Sequence, residues 1–204
     1  MSDQDESLHP GEEMAQMSTP KLISMMCLQA GFFVALGLGM WWLAGKPLEK
    51  FVTVSLGQIA LGFGIAIALG GFGLALTRMF PDFAEQLVRD QKQQFAFLER
   101  GLGIGAIIIF AACAGIGEEA VFRGGLMVLL DQYTPFAVAL ILSAAVFTVI
   151  HFAKPVVAAF IFIIGLFFGL VYWASGSLLA VMIGHWVYDI WALWFIQKEM
   201  KRLG

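Results

Sequence analysis

Long apolar runs separated by short polar breaks make up most of the chain. Six stretches, 22–43, 51–77, 102–130, 137–153, 156–173 and 178–196, carry few or no charges. Each is near or above the ~17–25 residues that a helix needs to cross a bilayer. The breaks have turn chemistry: Gly45-Lys46-Pro47 after the first stretch, Asp131-Gln132-Tyr133-Thr134-Pro135 after the third, Lys154-Pro155 after the fourth and Ser175-Gly176-Ser177 after the fifth. Segment 78–100 reads differently. Phe80, Phe83, Leu87, Phe95 and Leu98 recur at helical spacing among Arg78, Asp82, Glu85, Arg89, Asp90, Lys92, Glu99 and Arg100, and Pro81 suits a helix start. The pattern predicts an all-α fold: a polytopic membrane bundle of about six transmembrane helices, with one amphipathic helix lying in the interface.

Composition agrees with the bilayer as solvent. Hydrophobic residues make up 60% and charged residues 13% of the 204 positions, against about 25% charged in soluble domains. The mean hydropathy is +0.84. No basic patch points to nucleic acid. Residues 1–20 hold Asp3, Asp5, Glu6, Glu12 and Glu13 and no Lys or Arg. A secretory leader starts basic, so this segment reads as a disordered acidic tail. It is followed by two accessory spans and the amphipathic linker over 21–100, a four-span core over 101–197 and a basic tail over 198–204. Six spans put both termini on one side. That side collects Lys21, Arg78, Arg89, Lys92, Arg100, Lys154, Lys198, Lys201 and Arg202, while Lys46 and Lys50 fall on the other. The positive-inside rule then makes the termini cytoplasmic.

Smaller features read as packing. Cys27 and Cys113 lie inside apolar runs and are expected to pack rather than form a disulfide or metal pair. Gly101-x-x-x-Gly105 and Gly165-x-x-x-Gly169 are spaced for close helix contact. Trp41, Trp42, Trp173, Trp191 and Trp194 read as interfacial or lipid-facing anchors.

Three spans hold residues that lipid should exclude: Glu118, Glu119 and Arg123 in the third, His151 closing the fourth, and His185 with Asp189 in the sixth. A charge at the bilayer centre costs a few kcal/mol or more unless it pairs, lines a cavity or does chemistry. Glu119 and Arg123 are four residues apart and predict an ion pair. Glu118 points about 100° away and needs another partner. His185 and Asp189 share a face, as do Phe147 and His151. A helical rise of ~1.5 Å per residue puts Glu118 roughly 18 Å, His151 roughly 21 Å, His185 roughly 11 Å and Asp189 roughly 17 Å from the side opposite the termini. Three helices thus bring two carboxylates and two imidazoles to similar depth.

Such a set suits water activation. A carboxylate withdrawn from water is a stronger base than an exposed one, a neighbouring imidazole shares the proton, and a second donor stabilises an oxyanion. Glu118, His151, His185 and Asp189 are equally a zinc-type donor set, and buried carboxylates also line proton or cation pathways.

In order on successive helices, Glu118-Glu119-x-x-x-Arg123, Phe147-x-x-x-His151 and His185-x-x-x-Asp189 resemble the motifs of the CPBP family. So do Gly117-Glu-Glu-Ala-Val-Phe-Arg-Gly-Gly-Leu126 and Ser175-Gly-Ser-Leu178. This family includes CAAX prenyl endopeptidases of the Ras-converting type and bacteriocin-processing or immunity proteins. The resemblance, over about 100–196, implies an intramembrane endopeptidase in a bacterial inner membrane, acting on a peptide or membrane-anchored protein without a cofactor. By matching positions, Glu118 would be the general base, His151 would help activate water, His185 and Asp189 would stabilise the oxyanion, and Glu119 and Arg123 would be structural or orienting, with Phe147 packing on the face of His151. Many members have Asn where this chain has Asp189. An ionised Asp cannot donate to an oxyanion, so Asp189 must be protonated, orient His185 or bind metal. A non-catalytic scaffold or immunity-type protein is the alternative function.

Overall fold

Inside a bilayer every backbone N–H and C=O must be satisfied within the protein, and a helix does this locally. Residues 10–204, which the computed structural model describes, accordingly form helices and turns with no strand among them. A short helix α1 (Pro10–Gln16) precedes α2 (Thr19–Leu43). A turn through Gly45, in the left-handed region at φ 70°, leads by a 3-10 turn (Leu48–Lys50) to α3 (Leu56–Met79). The Oγ of Ser55 caps α3 by accepting from the Gln58 N–H at 3.2 Å. Next come α4 (Pro81–Asp90) and α5 (Ile104–Glu119). α5 continues unbroken through a π-helix (Ala120–Met127) into a last α-turn, α6 (Val128–Leu130). α7 (Phe136–Val149), α8 (Pro155–Ser175) and α9 (Leu178–Leu203) complete the bundle.

Five helical stretches are long and apolar enough to cross a membrane: α2, α3, α5 through α6, α8 and α9. α7 is apolar but has only 14 residues. The expected fourth span, 137–153, is therefore shortened at its end. Ile150–Phe152 turn out of the helix before Lys154-Pro155, with Phe152 in the left-handed region at φ 47°. The Pro155 ring disfavours helical backbone at Lys154, which helps end the helix before it.

Other expectations need correction. The polar N-terminal stretch is helical from Pro10 to Gln16, where Gly11 is buried against the backbone of Gln93 and Gln94; the part before Pro10 lies outside the described residues. The amphipathic segment is α-helical only over Pro81–Asp90, because the polar run Gln91–Gln94 offers no apolar stripe; a 3-10 turn (Ala96–Leu98) follows, burying Phe97 and Leu98. Of the tryptophans, Trp42, Trp173 and Trp194 are exposed, but Trp41 is buried and its Nε1 donates to the Pro47 carbonyl at 2.9 Å. Gly165 and Gly169 do admit a neighbour closely, the Ala144, Phe147 and Leu140 side chains of α7. Gly101 instead makes a left-handed turn (φ 78°), and Gly105 faces open space.

Ion pairs tie one end of the bundle together. Arg202 near the end of α9 bridges Glu85 of α4 at 3.0 Å and Glu199 at 2.7 Å, and Lys154 reaches Asp90 at 3.0 Å. Arg100 Nη1 donates to the Met17 carbonyl. Hydrogen bonds from Arg89 and then Arg202 hold the Glu85 carboxyl below its usual value. The loop between α7 and α8 thus lies at the same end as α4 and the end of α9.

α2 is pressed against the π-helix. A Cβ on Gly37 would stand 2.2 Å from the Ala120 carbonyl oxygen, whereas one on Gly39 would meet nothing within 4 Å. Gly37→Ala is expected to destabilise the fold by about 1–3 kcal/mol through overpacking. Gly39→Ala should be neutral or stabilising by up to about 1 kcal/mol. Thermal unfolding of the two variants in detergent distinguishes them; equal midpoints would contradict the close approach.

Candidate active site

Glu118 and Glu119 close α5, and the π-helix that follows carries Arg123. π-turns bond i to i+5 and are frequent at functional sites. Ser143 of α7 supports this one, its Oγ donating to the Phe122 carbonyl at 3.0 Å. Periodicity does not distinguish a π-turn from an α-turn, so this feature was not legible in the sequence.

The ionisable residues divide into a sealed half and an accessible half. In the sealed half, Arg123 and Glu119 have side chains only 2% and 0% exposed and join at 2.9 Å through Nη1 and Oε1. Arg123 Nη2 also donates to the Gly165 carbonyl of α8 at 3.0 Å. Its guanidinium carbon lies 4.6 Å from the ring centre of Phe147 and 5.6 Å from that of Phe168, within cation–π range. Glu119 Oε1 meets His185 Nδ1 at 2.8 Å. Arg123 does not give up its proton and leaves Glu119 as its anionic partner, so His185 Nδ1–H donates. Glu119 Oε2 is buried without a hydrogen-bond partner among the described residues.

In the accessible half, Glu118, His151 and Asp189 have side chains 16%, 21% and 20% exposed. Glu118 Oε2 stands 3.9 Å from His151 Nε2 and 3.9 Å from His185 Nε2. Asp189 Oδ2 is 3.4 Å from His185 Nε2. His151 Nδ1 lies 2.6 Å from the Phe147 carbonyl. A carbonyl only accepts, so Nδ1 carries the hydrogen and a neutral His151 ring turns its Nε2 lone pair toward Glu118. Phe147 packs edge-on to His151 at 4.7 Å, and Phe168 stacks on His185 at 4.9 Å.

The structure thus brings Glu118, His151, His185 and Asp189 together, although His151 sits in the turn after α7 rather than on a helix. Phe147 touches both His151 and Arg123. Ser143 has no signal in the sequence and Gly165 only a packing one, because a lone hydroxyl and a backbone carbonyl leave no pattern. A narrow surface cleft between α2 and α5 reaches Glu118, lined by Met26, Gln29, Ala30, Phe33, Cys113 and Ala114. Near it Cys27 and Cys113 place their sulfurs 3.7 Å apart, in contact but well beyond the ~2.05 Å of a disulfide. Among the described residues no three or more of His, Cys, Asp and Glu are grouped to hold a metal ion.

Removing one member of a buried ion pair strands the other, a loss of about 3–5 kcal/mol. Arg123→Met alone should lower stability by that order, and Glu119→Gln with Arg123→Met should lower it by less than the sum of the single changes. A double-mutant cycle on thermal or denaturant unfolding measures this; strict additivity would mean that the pair is not coupled.

Residues 100–191 match the family model described as Rce1-like, type II CAAX prenyl endopeptidase. No curated protein and no solved structure matches the chain.

Proposed function

We propose, from the premise that residues 100–191 form a type II CAAX prenyl endopeptidase (Rce1-like) domain, that this integral membrane protein hydrolyses a peptide bond with water activated by Glu118. The observation that carries the reading is the position of one Glu118 oxygen, 3.9 Å from the Nε2 atoms of both His151 and His185. That separation is too long for a hydrogen bond and suits a shared water.

The steps follow from the donors and acceptors present. A water between Glu118 and His151 donates one hydrogen to the carboxylate and the other to the His151 Nε2 lone pair. Glu118 takes the proton as the oxygen attacks the scissile carbonyl, and later gives it to the leaving amine. His185, carrying a proton on Nε2, donates to the oxyanion. Asp189 Oδ2, 3.4 Å from that Nε2, is the carboxylate counter-charge to the imidazole in the substrate-free site and yields the N–H to the oxyanion, which gives an acidic residue a use at this position. Glu119 and Arg123 hold His185 from behind. Zinc fits less well: two ligands on a tetrahedral ion with bonds of roughly 2.0–2.1 Å stand roughly 3.3–3.4 Å apart, closer than the 3.9 Å between Glu118 and each imidazole. The basic end of the bundle, with Lys154 and the end of α9, faces the cytoplasm in this reading.

The test uses purified protein in liposomes, a fluorogenic peptide ending in a farnesylated CAAX sequence, its unprenylated counterpart and an unmodified peptide library. The wild type is expected to cleave at least one of them, and bound zinc should be absent by elemental analysis. Glu118→Gln and His151→Ala should each lower the rate on the order of 10²–10⁴-fold without lowering the unfolding midpoint, and a chelator should leave the rate unchanged. Normal cleavage by Glu118→Gln would overturn the mechanism. Loss with chelator and recovery with zinc would establish the metal-dependent form. A cellular phenotype that survives both substitutions would point to a non-catalytic scaffold.

A further inference from the structure

We infer that Gln29 of α2 is a substrate-positioning residue, whose side-chain amide holds the peptide backbone of the substrate in the cleft beside Glu118. The inference rests on the endopeptidase reading above.

Gln29 is the only amide, hydroxyl or charged side chain in α2 from Met25 to Leu43. It lies ten residues into the helix and fourteen from its end, roughly 15 Å and 21 Å along the axis, and therefore within the hydrocarbon layer. An amide at that depth is costly unless it is hydrogen-bonded. Among the described residues no side chain or carbonyl bonds it, and the residue is exposed. It nevertheless lines the same cleft as Glu118, on the opposite wall. Ala30, the next residue, lies against Gly117, which brings the two walls to the same level.

The chemistry of the cleft suits an extended peptide. Its other walls are Met26, Ala30, Phe33, Cys113 and Ala114, so the Gln29 amide and the Cys113 thiol are the hydrogen-bonding groups facing Glu118. A substrate segment must be unwound for water to reach its scissile carbonyl, and in lipid its freed N–H and C=O then need partners. A primary amide supplies a donor and an acceptor side by side, matching a peptide N–H and C=O without adding a charge to the membrane. Leu28 and Phe32, 75% and 63% exposed, occupy the neighbouring surface of α2 with apolar side chains.

Two measurements test this. The first compares the wild type with Gln29→Leu and Gln29→Asn on the peptide that the wild type cleaves best. Gln29→Leu should lower kcat/KM ten- to hundredfold, mainly through KM, with an unchanged unfolding midpoint, because Leu suits lipid; Gln29→Asn should fall between. An unchanged kcat/KM overturns the inference, as does a change confined to oligomeric state. The second does not need turnover. In a Glu118→Ala chain with Cys27→Ala and Cys113→Ala, a cysteine replaces either Gln29 or Leu28, and the farnesylated peptide carries a thiol-reactive group next to its scissile bond. An adduct at position 29 and not at 28 supports the assignment; adducts at both or neither overturn it. If the wild type cleaves no peptide, the endopeptidase reading fails on those peptides, while the adduct pattern still decides where they bind.

Discussion

The guanidinium of Arg123 is enclosed by protein at bilayer depth, where an unpaired charge would be untenable, and its partners fix much of the arrangement around it. Glu119 neutralises it, the Gly165 carbonyl of α8 takes a second N–H, and Phe147 and Phe168 line its faces. Through Glu119 the same network reaches His185 on α9. One side chain thereby ties the π-helix to α8 and α9 and touches α7 through Phe147. The partly exposed side chains are positioned by others that are fully enclosed. This division leaves Glu118 accessible while its neighbour Glu119 is committed to the buried pair.

Much of this was legible in the sequence, for a physical reason. Lipid tolerates so few ionisable groups that each one inside an apolar run is informative. Glu119 and Arg123 at i and i+4 were paired by spacing alone, and common depth predicted that Glu118, His151, His185 and Asp189 would meet. What escaped were features with no residue-type signal. A π-turn has the composition of an α-turn. Gly165 contributes a carbonyl that every residue has. The end of α7 was extended by four residues because Ile150 and Phe152 are as apolar as the helix before them, although the backbone has already left it. Trp41 was read as an anchor from its type, but its N–H finds the Pro47 carbonyl and the ring turns inward.

α2 lies outside the stretch that matches the protease family, yet it forms a wall of the cleft to Glu118. The contact depends on backbone proximity: Gly37 lies against the Ala120 carbonyl and Ala30 against Gly117. Small residues let α2 approach where larger ones would hold it away, so the width of the cleft is set by glycine and alanine on both sides. α3 is fitted to α9 in the same way, with Gly62 against Ile183 and Gly73 against Trp191.

The shortness of α7 also affects the membrane around the protein. Fourteen residues make a helix about 21 Å long, against a hydrocarbon layer of about 30 Å. The difference is taken up by the turn that carries His151 and by Lys154, whose ammonium bonds Asp90 on the interfacial helix α4. Such a mismatch is relieved when the adjacent leaflet thins and polar headgroups sink toward the short element. By that principle the short α7 favours local thinning of the bilayer on the side where His151 sits.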